Sequence, residues 1–99
     1  MKVLLVCAGG MSTSMLMKKM KSYAEKNGIA DFKIAARGAD EVDAGGDYDI
    51  VLLGPQISYR KDSIKKVVGA ILVDVIPMRD YGRGNCESIF RQIDAALGR

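Results

Sequence analysis

The chain alternates between two kinds of apolar pattern, and this alternation constrains its fold more than any other feature. Short runs of consecutive apolar residues, rich in Val, Leu and Ile, are separated by segments with helical or turn character. Runs that are apolar on both faces are typical of strands buried within a parallel sheet. The sequence therefore predicts four strands, at Lys2–Val6, Asp31–Ala36, Asp49–Leu53 and Ala70–Val75.

Helices are predicted between and after these strands, at Ser12–Asn27, Ser58–Val68 and Cys86–Leu97. Their apolar residues recur at helical spacing, and Gly28, Gly69 and Gly98 follow them as terminators. Asn85 is the predicted N-cap of the last helix. The segment Gly38–Gly46 is ambiguous between a short helix and a loop. The apolar side chains predicted to face inward are Leu16, Met20, Tyr23, Ala24, Ile64, Val67, Val68, Ile89, Ile93, Ala96 and Leu97.

The resulting order, βαβαβαβα, predicts an α/β fold: a small, open, parallel four-stranded sheet with helices on both faces. For the strand order 2-1-3-4, the switch point lies between the first and third strands, at the carboxyl edge where ligands bind in such sheets. Cys7 follows the first strand, and Gly54-Pro55-Gln56 follows the third. We therefore expect these two segments to meet, within one domain that covers residues 1–99.

Composition excludes several classes of protein. The longest apolar runs are far shorter than the roughly 20 residues that cross a bilayer, and the N-terminus lacks the pattern of an export signal. We therefore expect a cytoplasmic protein without direct membrane insertion, whose two cysteines are reduced. A net charge of +3 is too small to indicate nucleic-acid binding. No cluster of ligating residues indicates a metal or a cofactor, and no leftover apolar stripe indicates an oligomer, so we expect a monomer.

Cys7 is the candidate reactive group. It is followed by the small residues Ala8, Gly9 and Gly10, then by Met11 and the predicted helix start at Ser12-Thr13-Ser14. Small residues let backbone N–H groups curl around an anion, and the positive end of a helix dipole attracts one. The simpler alternative is a small buried apolar residue before ordinary hydroxyl N-caps. The chain has no histidine, so no imidazole can activate this thiol.

Several residues other than Cys7 could be either functional or purely structural. Lys18, Lys19 and Lys21 form either a solvated helix face or a docking surface for an acidic partner. Arg60 and Lys61 lie at a predicted helix start, the unfavourable end for cations, and are either docking residues or tolerated surface charge. Met11 and Met15 are candidates for an exposed apolar rim around Cys7, with core packing as the alternative. Cys86 has no surrounding cradle, and we interpret it as structural.

The residues around Cys7 distinguish three possible functions of the chain. Low-molecular-weight tyrosine phosphatases carry an arginine six residues after their cysteine, which binds the phosphate with two hydrogen bonds. Here that position is Thr13, so a phosphate carrier is favoured over a cysteine-dependent phosphatase. A receiver module that is phosphorylated on aspartate is disfavoured, because no acidic pair follows the first strand.

Three motifs then resemble one family. The segment Cys7–Leu16 resembles the active-site loop of enzyme IIB in the lactose/cellobiose (chitobiose) branch of the bacterial phosphoenolpyruvate-dependent sugar phosphotransferase system. The segment Asp49–Tyr59 resembles its Leu-Leu-Gly-Pro-Gln-Ile-x-Tyr motif, and Tyr81-Gly82 resembles the Tyr-Gly before its last helix. The resemblance covers essentially the whole chain and implies a fold similar to low-molecular-weight tyrosine phosphatase and flavodoxin-like folds.

The resemblance also implies a function. Cys7 would accept a phosphoryl group from a phosphohistidine of the partner IIA and pass it to a sugar held by the membrane permease IIC. Which sugar is carried stays open among the cellobiose, chitobiose and lactose types, and IIC would hold the protein at the inner membrane. The implied phosphate-binding residues are Ala8, Gly9, Gly10, Met11, Ser12 and Thr13, and possible outer residues are Ser14, Gln56, Tyr59 and Tyr81.

Overall fold

The computed structural model describes residues 1–7, 12–42 and 47–98, with the backbone alone at 12–14. The elements in chain order are β1 (Lys2–Cys7), α1 (Ser12–Lys26), β2 (Lys33–Gly38), β3 (Ile50–Leu53), α2 (Lys61–Val68), β4 (Leu72–Val75), α3 (Met78–Arg83) and α4 (Cys86–Ala96). Two 3-10 segments accompany them, at Ala39–Glu41 and Pro55–Arg60.

The four strands form one parallel sheet in the order β2-β1-β3-β4, which confirms the predicted fold and strand order. Strand β1 is central, and its last five residues are buried. Its alternate side chains divide the core into two apolar clusters. Val3 and Leu5 pack beneath α1 and α4, and Leu4 and Val6 pack with α2 and the 3-10 segments. Burial on both faces explains why the sequence of this strand is an uninterrupted apolar run after Lys2.

Helix α1 is confirmed on the predicted face. Leu16, Met20 and Ala24 are buried in the first cluster, and Tyr23 packs against it. The helix ends before Gly28, whose φ of 66° lies in the left-handed region that glycine tolerates. Because α1 returns antiparallel to β1, its N-terminal end lies at the carboxyl edge of the sheet.

Helix α4 is also confirmed. Asn85 Oδ1 accepts a hydrogen bond from the Ser88 N–H at 3.3 Å, as predicted for an N-cap. Ile89 and Ile93 are buried as predicted, and Ala96 and Leu97 are partly buried. Phe90 is buried as well and stacks on Tyr23 with a centroid separation of 5.0 Å.

Three predictions about strands and connections need correction. The second strand runs from Lys33 to Gly38 and not from Asp31 to Ala36, because Asp31 adopts a φ of 56° that belongs to a turn. The fourth begins at Leu72 and not at Ala70. Within Gly38–Gly46, the structure has the 3-10 turn Ala39–Glu41, and residues 43–46 lie outside the described part.

Two further corrections concern helices. Of the predicted helix Ser58–Val68, only Lys61–Val68 is α-helical. Ser58 to Arg60 belong to the preceding 3-10 segment, which has non-helical backbone angles at Ile57. Val67, predicted to face inward, is 42% exposed, because Ile64 and Val68 already fill the contact with the sheet. Helix α3 was not predicted at all. It follows Pro77 and lasts only six residues, too few for a periodic pattern.

Candidate functional site

Cys7 is the last residue of β1, at the carboxyl edge of the sheet and next to the switch point. Its side chain is on the α1 face by alternation with Val3 and Leu5. Cys7 is buried, with 8% of its surface exposed, and its Sγ lies 4.0 Å from the carbonyl oxygen of Arg37 on β2. It is a free thiol in this structure, and neither apolar cluster includes it. The thiol therefore lies at the border of the core.

Cys7 at the end of β1 and the segment that follows β3 meet at this edge, as predicted. The backbone N–H of Gly54, directly after β3, donates to the carbonyl oxygen of Val6 at 2.8 Å. This bond continues the β1–β3 ladder beyond Leu53 and brings Gly54 beside Cys7. Residues far apart in sequence are thus neighbours in space because parallel pairing aligns the strand ends.

The N-terminal end of α1 faces the same edge. Only residues 8–11 connect Cys7 to Ser12, the first residue of the helix. The first turn of α1 contains no acidic residue, and Lys26 lies in its last turn. No carboxylate of the helix itself therefore offsets the positive end of its dipole, which favours an anion there.

Most of the predicted phosphate cradle cannot be compared with the structure. Ala8, Gly9, Gly10 and Met11 lie outside the described residues. Ser12, Thr13 and Ser14 form the first turn of α1, but their side chains lie outside the described part as well. The ring of backbone amides around Cys7 therefore stays a prediction.

Gln56 and Tyr81 are brought together beside the end of β3. Both line an open groove of about 290 Å³, which we call the Tyr81 groove. A methyl carbon added at Gly54 would lie 3.0 Å from Gln56 Oε1 and 3.6 Å from Tyr81 Cε2. The amide and the ring thus cover Gly54, the residue that pairs with the end of β1. The Tyr81 groove is lined by Met15, Leu16, Lys19, Gln56, Tyr81, Gly82 and Gly84.

Two other predicted positions face solvent. Met15 is 65% exposed at the mouth of the Tyr81 groove, which agrees with the rim interpretation for this residue. Tyr59 is 80% exposed and presents its ring to solvent. The carboxyl edge therefore combines a buried thiol with exposed apolar side chains, a surface typical of contact with a partner.

Two residues of the site were missed by the sequence interpretation. Lys19, assigned there to a lysine cluster that is either a solvated face or a docking surface, lines the Tyr81 groove. It lies against Gly84, where an added methyl carbon would be 2.8 Å from its Nζ. Its spacing of four residues from Met15, on the same helix face, was the available signal. Gly38, paired in register with Cys7, had no local signal, because only strand pairing brings it there.

The charges near this edge are partly paired. Arg60 Nη1 donates to Asp40 Oδ1 at 2.9 Å and links the 3-10 segments that follow β3 and β2. This pairing accounts for the cation that looked misplaced before a helix. Asp80 on α3 is buried, and its Oδ1 has no hydrogen-bond partner among the described residues, although Arg79 Nε lies 3.8 Å away.

Cys86, the other thiol, occupies a different setting. It is the first residue of α4 and belongs to the first apolar cluster. Burial raises the pKa of this thiol above its ordinary value, and the nearby Lys19 ammonium only partly opposes that change. The neutral thiol is thus the favoured form of Cys86, which suits a structural residue.

The described residues contain neither a membrane-spanning helix nor a candidate metal-binding cluster. Over the described ranges, no helix has the length and apolar character needed to cross a bilayer. Within the same ranges, no group of three or more His, Cys, Asp or Glu side chains is arranged to hold a metal ion.

Known proteins resemble this chain over most of its length. A family model described as the PTS system, Lactose/Cellobiose specific IIB subunit, matches residues 2–92. The galactose-specific EIIB component of Lactococcus lactis subsp. cremoris is 40% identical over 88 residues, which cover 81% of each chain. The cellobiose-specific EIIB component of Lactococcus lactis subsp. lactis has the same identity and coverage.

A solved structure shows the same fold. The cellobiose-specific phosphotransferase IIB component of Borrelia burgdorferi, solved in solution, superposes with a TM-score of 0.77 at 32% identity. The match covers 99% of this chain and 92% of that one. Sequence relatives and structural similarity thus indicate the same family. The chain belongs to the lactose/cellobiose-specific IIB family of the phosphoenolpyruvate-dependent sugar phosphotransferase system.

Proposed function

We propose that this chain is a phosphoryl carrier, in which Cys7 accepts a phosphoryl group from a phosphohistidine of IIA and transfers it to a sugar bound by IIC. The observation that carries the proposal is the position of Cys7. It ends the central strand at the switch point, one short connection before the uncompensated N-terminus of α1. Family membership supports the same assignment.

The first transfer is an in-line displacement. The Cys7 thiolate attacks phosphorus, so that an S–P bond forms while the N–P bond of the donor histidine breaks. The freed imidazole keeps the electron pair and takes up a proton. In the second transfer a sugar hydroxyl oxygen attacks phosphorus, its proton is released, and the S–P bond breaks to restore the Cys7 thiolate. Positioning and charge stabilisation carry most of the catalysis in such reactions.

The charge stabilisation falls to the backbone in this proposal. The N–H groups of residues 8–13 donate to the phosphoryl oxygens, and the dipole of α1 favours their negative charge. The chain has no histidine, so the imidazole of the reaction belongs to the donor protein. The sulfur needs no metal in this mechanism.

Outer residues of the site have narrower roles. Gln56 is the strongest candidate, because its amide oxygen lies beside Gly54. Rotation of the amide group by half a turn would bring its NH2 group to this side, where it can donate to an oxygen of the phosphoryl group. Tyr81 closes the same side with its ring. Ser14 supplies a hydroxyl at the start of α1, and the exposed ring of Tyr59 contacts a partner rather than the sulfur.

The sugar and the location follow from the proposed partners. IIC, a membrane protein, binds a sugar of the cellobiose, chitobiose or lactose type. The carrier therefore works as a cytoplasmic monomer at the inner surface of the membrane. The relatives named above act on galactose and cellobiose, which is in keeping with a permease that selects the sugar.

The proposal is tested by intact mass at neutral pH, after incubation of the chain with phosphoenolpyruvate, the general proteins of the system and IIA. We expect a single gain of about 80 Da that prior alkylation of Cys7 prevents. Labelling at another residue would contradict the assignment. Turnover of para-nitrophenyl phosphate by the chain alone would instead support the phosphatase alternative.

A further inference from the structure

The row of the sheet that contains Cys7 carries fewer side chains than the rows before it. In a parallel sheet, residues paired across neighbouring strands project to the same face. On the α1 face, each earlier row across β2, β1 and β3 carries three side chains. These rows are Ile34–Val3–Ile50 and Ala36–Leu5–Leu52, and the next row is Gly38–Cys7–Gly54.

The two glycines flank the thiol on both sides. Gly38 pairs directly with Cys7, and Gly54 extends the ladder of β3 through its bond to the Val6 carbonyl oxygen. Among these three residues, Cys7 alone has a Cβ. The row continues on the β4 side with Ile76, whose backbone N–H donates to the Leu53 carbonyl oxygen at 2.9 Å. Such an interruption weakens a sheet, and glycine within a strand often marks the close approach of a ligand.

Backbone conformation does not explain these glycines. Gly38 has φ −70° and ψ 156°, and Gly54 has φ −62° and ψ 148°. Both are extended conformations that any L residue adopts. Alanine would thus be tolerated at either position as far as the main chain is concerned.

Packing against the described residues does not explain them either. A methyl carbon at Gly38 would meet Glu41 Oε1 at 2.9 Å, and one at Gly54 would meet Gln56 Oε1 at 3.0 Å. Both contacts involve the tips of flexible side chains that can move. The Tyr81 ring, at 3.6 Å from the added carbon at Gly54, is at an ordinary contact distance. As far as the described residues are concerned, what the two glycines provide is room on either side of Cys7.

We propose that Gly38 and Gly54 form a slot that accommodates the tetrahedral phosphoryl group on Cys7, and that they determine the size of the group the sulfur can carry. This inference rests on the proposed carrier function. A thiol hydrogen needs no such space, but three phosphoryl oxygens around phosphorus do. The two glycines act as positioning residues through the space they leave, and they donate nothing to the reaction.

The two sides of the slot are unequal. The Cys7 thiol lies toward β2, with Sγ 4.0 Å from the Arg37 carbonyl oxygen. Phosphoryl oxygens are acceptors and are repelled by the Arg37 carbonyl oxygen, which is held in the strand. On the other side Gln56 Oε1 is the nearest atom, but the amide group can rotate so that its NH2 group donates instead. The phosphoryl group is therefore expected to occupy the Gly54 side, and an added methyl group should matter more at Gly54 than at Gly38.

The test compares Gly54→Ala and Gly38→Ala in single-turnover phosphoryl transfer from phosphorylated IIA. We expect a decrease of about tenfold or more for Gly54→Ala and a smaller decrease for Gly38→Ala. Ser63→Thr is the matched control, since it adds one methyl group on exposed α2 and keeps a hydroxyl for the bond to the Arg60 carbonyl oxygen. Its rate should equal that of the unmodified chain.

A second reagent separates lost space from a damaged fold. Methyl methanethiosulfonate adds a small linear group to the thiol, and it should modify Cys7 at similar rates in all variants. Unchanged phosphoryl transfer in both glycine variants would overturn the inference. If the unmodified chain itself accepts no phosphoryl group from IIA, the proposed function fails instead of the slot.

A double variant removes the remaining alternative, that alanine acts by displacing Gln56. Gly54→Ala combined with Gln56→Ala should stay slower than Gln56→Ala alone, because the added methyl group still occupies the slot. A rate equal to that of Gln56→Ala would mean that Gly54 matters only through Gln56, and the slot would be refuted.

Discussion

The two cysteines are almost equally buried and yet occupy chemically different places. Cys7 is 8% exposed and Cys86 is 9% exposed, and each lies at or shortly before the start of a helix. Cys7 ends a central strand between two glycines and belongs to neither apolar cluster. Cys86 is packed within the first cluster. Burial alone therefore does not distinguish a reactive thiol from a structural one.

The helix starts beside the two thiols differ as well. The α4 N-terminus is capped by Asn85 and contains Glu87 in its first turn, so its partial positive charge is already offset. The first turn of α1 contains no acidic residue. An anion is thus favoured near Cys7 and disfavoured near Cys86. Position at the sheet edge and a first helical turn without acidic residues together distinguish Cys7, the proposed reactive thiol, from Cys86.

Replacement of each cysteine by serine should give the largest difference in phosphoryl transfer between the two positions. We expect Cys7→Ser to abolish the mass gain from phosphorylated IIA, because a serine hydroxyl is a far weaker nucleophile than a thiolate. Cys86→Ser should retain transfer within about twofold, since this residue lies outside the proposed mechanism. Circular dichroism checks that both variants are folded. Equal loss in the two variants would remove the distinction between the thiols.

The charge of the side chain at position 56 should give the next largest effect. Gln56→Glu replaces a donating amide by a carboxylate of nearly the same shape, which repels the phosphoryl oxygens. We expect transfer to slow by about tenfold or more, the size of one charge-assisted hydrogen bond. Gln56→Ala should fall between this variant and the unmodified chain. Wild-type rates in Gln56→Glu would exclude Gln56 from the site.

The effect of serine on stability should be the reverse of its effect on transfer, with the larger loss at Cys86. Cys86→Ser buries a hydroxyl in an apolar cluster and should lower the free energy of unfolding by about 1 kcal/mol. Cys7→Ser should cost less, because the Arg37 carbonyl oxygen is near enough to accept a hydrogen bond after a small shift. Urea denaturation monitored by circular dichroism gives both values. A larger loss for Cys7→Ser would place that residue in the core.

The pH dependence of Cys86 should give the smallest effect. Because burial raises its pKa, the thiolate forms at higher pH than in a free cysteine, and the alkylation rate should still rise with pH where that of a free cysteine has levelled off. Lys19→Met removes the charge that lowers this pKa and should move the curve further upward. The measurement is the rate of iodoacetamide reaction in a Cys7→Ser background. A shift toward lower pH would contradict the attribution to Lys19.

Local patterns were sufficient for most of the elements. The uninterrupted apolar run of β1, the helical spacing of Leu16 and Met20 and the cap at Asn85 each depend on neighbours within a few residues. Such features are visible in a sequence because their causes are local. The family motifs at Cys7 and Gly54 were readable for the same reason.

The sequence-based predictions were wrong where contacts between distant parts of the chain determine the structure. Helix α3 is too short to show a period and forms around Pro77 and the packing of Tyr81. The ends of β2 depend on its register with β1, in which Lys2 pairs with Lys33 and Cys7 with Gly38. The exposure of Val67 depends on how much of α2 the sheet can cover.

The four strands, helices α1 and α4, the family and Cys7 as the candidate reactive thiol could all be predicted from the sequence, because these depend on local periodicity and contiguous motifs. The surroundings of that thiol could not be predicted in this way. Gly38 and Gly54 lie beside Cys7, and the groove of Gln56, Tyr81 and Lys19 lies next to Gly54, because parallel pairing and helix packing align distant segments. No local pattern encodes that alignment, since lateral strand pairing depends on the free energy of the whole folded chain.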